Sequence, residues 1–215
     1  MQRLTLIRHG ESECNREDRI QGISDCDLSD LGREQAKRLK TRLDLERIDV
    51  AYSSTATRAL ETARVAVGSR LRIDGLPDLR EINLGVWEGE LASTLKERFP
   101  VETGLWFREP SKLKIEGAEP IRSFRHRVTR ELNRIRRRHD DESIVVFTHG
   151  GVICTYLTSL LGLKLDDLWR FKVRNGSITR LIFPTDDVRI EALNDVSHLD
   201  GAVRYAPNVP PQYLI

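Results

Sequence analysis

The sequence predicts an α/β protein: a three-layer sandwich with a mostly parallel sheet, helices on both faces and a small helical cap insertion. Three observations carry this. Short apolar runs of strand length alternate with longer amphipathic stretches through most of the chain. Two of those runs, residues 4–7 and 144–147, stop at a charged or polar residue that is followed at once by His-Gly. Between Asn83 and Glu119 the periodicity loosens, and Gly85, Gly89, Pro100, Gly104, Pro110 and Gly117 punctuate short pieces, as an insertion covering something would do.

Taken in order, Leu4 to Ile7 reads as a buried strand. Residues 11–27 are polar and turn-rich and read as a loop around Gly22. Ser29 or Asp30 can cap a helix running to about Arg47, with Leu31, Leu39 and Leu43 on one side. Residues 48–52 read as a short strand. Ser53 and Ser54 then offer caps for a helix whose small-residue face is Ala59, Ala63, Ala66 and Val67. A third strand is read at 71–73, followed by Pro77 and Asp78-Leu79-Arg80-Glu81. Inside the insertion, residues 92–99 form an amphipathic piece. After it, Ile121, Phe124, Val128, Leu132 and Ile135 recur by threes and fours and make one apolar helical stripe. Residues 143–148 read as a strand, leading through His149-Gly150-Gly151 into a helix to Leu161 that Gly162 ends. Residues 177–183 and 188–193 read as a final strand pair joined by Thr185-Asp186-Asp187, and the tail from Gly201 reads as irregular.

Length and composition fit one domain spanning 1–215, with the cap-like insertion at about 83–120. Hydrophobic residues at 39% and charged residues at 32% exclude wholesale disorder, and a net charge of +2 supplies no basic field for nucleic acid. No signal-peptide pattern and no membrane-length apolar run is read. Cys14, Cys26 and Cys154 are odd in number and scattered, so neither a disulfide framework nor a metal set is expected, and a reduced cytoplasmic setting is the default.

The chemistry concentrates at strand ends, where open α/β sheets bind ligands. An isolated His9 would ordinarily be a hydrogen-bonded surface group, but His149 repeats its placement, and the two can converge if their strands are neighbours. Arg58 falls in the first turn of a helix, where a cation opposes the helix dipole unless an anion binds there; the alternative is a surface arginine paired with Glu61 or Glu34. Glu81 matters only if a proton donor is needed near the histidines, and is otherwise a surface carboxylate. His126 and His139 are expected to be solvated. Phosphate-loop, dinucleotide, Gly-x-Ser-x-Gly and His-Glu-x-x-His patterns are absent. What remains is an anion site of arginines and histidines.

Together these residues resemble the histidine phosphatase superfamily, the phosphoglycerate-mutase-like proteins, and within it the bacterial broad-specificity phosphatases. The matching blocks are Arg8-His9-Gly10-Glu11-Ser12 with Asn15; Gln21-Gly22, Asp25, Leu28-Ser29, Gly32 and Gln35-Ala36; Tyr52-Ser53-Ser54 with Arg58-Ala59 and Thr62-Ala63; Leu79-Arg80-Glu81 with Gly85 and Trp87-Glu88-Gly89; and Thr148-His149-Gly150-Gly151. The resemblance implies His9 as a nucleophile that becomes phosphohistidine, and Glu81 as general acid and base, partly desolvated by the insertion. Arg8, Arg58 and His149 would bind the phosphoryl group, helped by Asn15 and the backbone at Gly150, with Gln21 and Gly22 toward the substrate. It implies no metal and no cofactor. The expected partner is a small phosphorylated metabolite, with no nucleic acid and no membrane, and a homodimer is left open.

Departures narrow the reading. Asp27 and Thr55 stand where the family often has proline, and Gly117-Ala118-Glu119-Pro120 replaces a common Gly-Gly-Glu-Ser. The connection from Glu81 to His149 is short and lacks an adjacent arginine pair, which favours phosphatase over mutase. Leu84 stands where phosphoserine phosphatases of the superfamily can carry histidine. The alternatives are a phosphoglycerate mutase, a dedicated α-ribazole-phosphate or phosphoserine phosphatase, and a phospho-ligand-binding regulator, which would not need Glu81. Asp195-Val196-Ser197-His198 also matches, with His198 expected to brace the tail. Trp87, Trp106, Phe107 and Lys112 are candidates for the leaving-group side.

Overall fold

The computed structural model describes residues 1–184 and 187–202. The linker positions Thr185 and Asp186 and the tail beyond Ala202 therefore lie outside the described residues. Six strands form one sheet in the order β3-β2-β4-β1-β5-β6. They are β1 (Gln2–Arg8), β2 (Val50–Ser54), β3 (Ile73–Leu76), β4 (Ser143–Thr148), β5 (Ile178–Phe183) and β6 (Arg189–Asp195). β1, β4, β2 and β3 run parallel, and β5 and β6 add an antiparallel edge.

The period-2 alternation of the strands divides the core between two faces. Ile7, Ala51, Val145 and Phe147 point to one face. There they meet Leu39 and Leu43 of α2 (Asp30–Leu43) and Ala63, Ala66 and Val67 of α3 (Thr57–Val67). Leu4, Leu6, Ile144 and Val146 point to the other face. They meet the predicted stripe of α6 (Ile121–Arg138) and the apolar α7 (Gly150–Leu160). This is the three-layer sandwich. The inserted stretch holds α4 (Ala92–Arg98) and α5 (Pro100–Arg108).

Several local expectations change. The stretch 11–27 is not all loop: Ser12 and Asn15 form a reciprocal capping box that opens a one-turn helix, α1 (Glu13–Arg16). Cys14 and Cys26 form a disulfide, against the sequence expectation. The cause is tertiary: Ser12 bridges Leu28 and Glu13 N–H donates to Asp27 O, so the segment folds back and sets the two thiols opposite each other. Cys154 is free and buried. Ser53 and Ser54 end β2 rather than cap α3, whose N-cap is Ala56. α2 stops at Leu43, because the next residues, Leu45 and Arg47 among them, face solvent and offer no stripe to bury. Its buried face uses Gly32, Gln35 and Ala36 in place of Leu31. β3 begins at Ile73 and carries the poor strand formers Asp74 and Gly75, held by pairing with β2. His139 is not solvated: Tyr52 Oη lies 2.7 Å from its Nε2 and Glu142 2.6 Å from its Nδ1.

Candidate active site

β1 and β4 are neighbours in register, with Arg8 opposite Thr148, so the residues that follow, His9 and His149, emerge side by side. Their ring centroids are 5.2 Å apart, at 61°. The convergence left open by the sequence is thus a consequence of strand order. β2 ends beside β4, and two residues later α3 begins, which brings Arg58 to the same place. Arg58 is not the surface arginine of the alternative reading: it is 1% exposed, and Glu61 pairs with Arg33 instead.

His9 has a defined tautomer. Its Nδ1 is 2.7 Å from Gly10 O, and Arg58 Nε–H donates to its Nε2 at 3.3 Å. A carbonyl only accepts and a guanidinium only donates, so Nδ1 carries the proton and Nε2 keeps its lone pair. Burial, then the charges of Arg58 and Arg8, hold the His9 pKa well below the ordinary imidazole value. Burial, then Arg58, His9, Arg8 and Arg80, depress His149 in the same way. Both shifts favour the neutral ring.

The guanidiniums are held by carbonyls. Arg58 donates to Gly22 O at 2.9 Å and Ser24 O at 2.8 Å, and burial lowers its pKa to about 10. Arg8 donates to Val173 O at 2.7 Å and packs over Gly150. Gly22 takes φ +54°, a left-handed turn that aims its carbonyl at Arg58. Gln21 lies 2.9 Å from the Ser12 hydroxyl. Among the described residues, Arg8 Nε and His149 Nδ1 are buried without a partner. Such nitrogens are costly unless a ligand satisfies them.

Glu81 is half-buried. Its carboxylate accepts from Gly151 N–H at 2.9 Å and Ile82 N–H at 3.0 Å. A Cβ on Gly151 would lie 2.4 Å from Glu81 Oε1, so glycine there makes room for the acid. Its backbone is clamped from α6: Arg127 donates to Asp78 O and Arg80 O at 2.8 Å and to Glu81 O at 3.0 Å, and pairs with Glu119 at 2.8 Å. Arg80 pairs with Asp25 at 3.3 Å.

Two residues escaped sequence reasoning. Arg127 is one; the other is Asn175. Its Nδ2 lies 3.2 Å from His9 O, 3.4 Å from Gly10 O and 3.0 Å from Asn15 Oδ1. Ser12 N–H also donates to Asn15 Oδ1, at 3.2 Å. With its oxygen occupied, Asn15 has its amide nitrogen left to donate. Asn175-Gly176 lies just before β5 and carries the turn signal Asn-Gly, which marks the turn without its target. His198 lies 3.1 Å from Gly176 O, and Gly176 N–H donates to Arg8 O and His9 O; the tail it is expected to brace lies outside the described residues.

Asn15 also lines a cavity of about 390 Å³ walled by Ile20, Leu84, Trp87, Leu95, Trp106 and Phe107, with Arg19 and Lys96 among its lining. Of the leaving-group candidates, Trp87, Trp106 and Phe107 share this wall. Lys112 is not among its lining residues; it pairs with Glu109 at 2.5 Å.

An imidazole with its proton held on Nδ1, two buried guanidiniums and a carboxylate on a helix N-terminus make a candidate site for displacement at an anionic group. The sequence profile of the histidine phosphatase superfamily (branch 1) matches residues 4–196, and the chain belongs to that superfamily. It is similar to phosphoserine phosphatase 1 of Hydrogenobacter thermophilus, at 35% identity over 93% of this chain and 95% of that one. It is also similar to the adenosylcobalamin/alpha-ribazole phosphatase of Escherichia coli, at 30% over 81% and 86%. Among solved structures, Bacillus stearothermophilus YhfR superposes with a TM-score of 0.88 at 32% identity, covering 93% of this chain and all of that one. The chain is a phosphoric monoester hydrolase of the histidine phosphatase type.

Proposed function

We propose that the protein is a metal-independent phosphatase that hydrolyses small phosphomonoesters through a phosphohistidine on His9. The observation that carries this is the tautomer of His9: Gly10 O holds Nδ1–H and leaves the Nε2 lone pair beside Arg58. In the first step Nε2 attacks phosphorus, and the bond to the ester oxygen breaks. Glu81, as the general acid, delivers a proton to that oxygen, and recovers one in the second step. In the second step water attacks phosphorus, Glu81 takes the water proton, and the Nε2–P bond breaks to release phosphate. Charge on the equatorial oxygens is met by Arg8, Arg58, His149 Nδ1, the Asn15 amide and Gly150 N–H, donors that need little rearrangement.

The apolar wall of the neighbouring cavity supports an alcohol portion with apolar surface. Phosphoserine is the second reading, favoured by the name of the relative at 35% identity. Leu84, 7% exposed in that wall, offers a zwitterion no polar partner. A panel of phosphorylated metabolites containing phosphoserine, phosphoglycerates and nucleotides separates the two.

The mechanism has a direct test. Quenching turnover of an aryl phosphate in alkali is expected to trap an acid-labile phosphoryl group on the wild-type protein and none on His9→Ala, which should be inactive. Substantial turnover by His9→Ala overturns the nucleophile. Strong inhibition by EDTA, reversed by a divalent ion, overturns metal independence.

A further inference from the structure

We infer that Ser54 is a positioning residue of the reaction: its hydroxyl donates to His149 Nε2 and so keeps the proton on His149 Nδ1, facing the phosphoryl group. The inference rests on the phosphatase reading for its catalytic meaning, but its geometry stands apart from it.

Ser54 is the last residue of β2, and β2 pairs with β4 so that Ser53 lies opposite Phe147. One step further along each strand brings Ser54 level with Thr148 and next to His149. Ser54 Oγ lies 2.8 Å from His149 Nε2, and both residues are 0% exposed. The direction of that bond follows from counting donors. Ala56 N–H donates to Ser54 Oγ at 3.2 Å, so the oxygen is already an acceptor. Its own proton has no other acceptor among the described residues. Were His149 Nε2 the donor instead, the buried hydroxyl proton would be stranded and the Nδ1 lone pair would be unpartnered as well. With Ser54 donating, the one polar group of this pair of side chains left without a partner among the described residues is His149 Nδ1–H. A buried N–H at this place is a donor waiting for an anionic oxygen.

The chain Ala56 N–H to Ser54 O–H to His149 Nε2 therefore does for the second histidine what Gly10 O does for the first. The two anchors are opposite in kind. A carbonyl holds His9 Nδ1–H and leaves the proton-free Nε2, met only by the long 3.3 Å bond from Arg58, for attack; a hydroxyl donor occupies the His149 lone pair and exposes a proton for binding. A residue whose place in the sequence suggests a helix cap thus serves to assign a tautomer.

Imidazole ¹⁵N spectra of the full chain test this, with the His149 signals assigned by their loss in His149→Asn. The wild type is expected to show a protonated Nδ1 and an unprotonated Nε2 on His149, with the same pattern in Ser54→Thr. Ser54→Ala should show a mixture of tautomers. Its inhibition constant for orthovanadate should rise about tenfold, the loss expected when an oriented donor to a charged group is no longer held, and Ser54→Thr should restore it. Ser54→Cys, a weaker donor of similar size, should fall between and serves if Ser54→Ala does not fold. A wild-type His149 protonated at Nε2 overturns the inference, as do a wild-type tautomer and an unchanged vanadate constant in both Ser54→Ala and Ser54→Cys. Because vanadate binding and the spectra need no turnover, failure of the phosphatase reading would show separately, as absence of hydrolysis by a wild type that still has the assigned tautomer.

Discussion

His9 and His149 are buried beside two guanidiniums, and that environment decides their charge. The unfolded chain takes up protons on these rings below about pH 6.5, whereas the folded chain excludes them until well below that value. Their contribution to stability is therefore complete above the unfolded value and is lost as pH falls toward the depressed folded values. The urea midpoint is expected to drop between about pH 7.5 and about pH 5, and part of that drop should disappear in His9→Asn. An identical pH dependence in the variant would mean that His9 is not held neutral. Glu81 gives a second residue-scale prediction. Glu81→Gln keeps the shape and removes the proton. Alkyl phosphates, whose leaving oxygen needs protonation, should lose about a hundredfold in kcat, and aryl phosphates much less. Equal losses would argue against its role as acid.

At the scale of elements, the site is assembled by what packs behind it. α6 reads from sequence as an amphipathic helix that covers the sheet, and its stripe of Phe124, Val128, Leu132 and Ile135 does so. From its flank, Arg127 holds three consecutive-region carbonyls, of Asp78, Arg80 and Glu81, together with Glu119. Arg127→Met should cost about 2–4 kcal/mol, because it leaves a half-buried carboxylate and several carbonyls without their donor. It should also lower kcat for an alkyl phosphate about tenfold, since the acid is released from its clamp, while orthovanadate affinity stays within about twofold. Arg127→Lys should not restore activity, because one ammonium cannot span the fork. A parallel loss of vanadate affinity would show that the substitution disturbs the whole site. The disulfide between Cys14 and Cys26 belongs to this scale too: it ties the turn bearing Asn15 to the loop whose Ser24 carbonyl holds Arg58.

For the whole molecule, the insertion and the segment after β1 together wall the cavity proposed to take the leaving group. Trp87, from the turn at Gly85–Trp87, and Trp106 and Phe107, adjacent on α5, share one wall with Leu84. Trp106→Ala should lower kcat/KM for naphthyl phosphate about tenfold, the loss of an aromatic contact worth about 1–1.5 kcal/mol, and leave ethyl phosphate little changed. Equal effects on both esters would show that this wall does not touch the alcohol portion. No helix among the described residues is long and apolar enough to cross a membrane.

The parts of this protein legible in the sequence are those where local chemistry and periodicity agree. The strand runs ending at Arg8 and Thr148, the stripe of α6 and the His-Gly steps after two strands are written in neighbouring residues, and with them the fold class and the candidate set of Arg8, His9, Arg58, Glu81 and His149. The rest depended on contacts between residues far apart in the chain. Cys14 meets Cys26 only because Ser12 bridges Leu28; Asn175 and Arg127 reach the site only because β5 lies beside β1 and α6 lies behind Glu81. The sequence by itself picked out the histidines that follow two strand ends, since a strand end and its following residue are local properties. Only the tertiary structure decided their protonation and orientation, because a tautomer or a depressed pKa is set by partners such as Gly10 O, Ser54 Oγ and Arg58, whose places around each ring come from strand order.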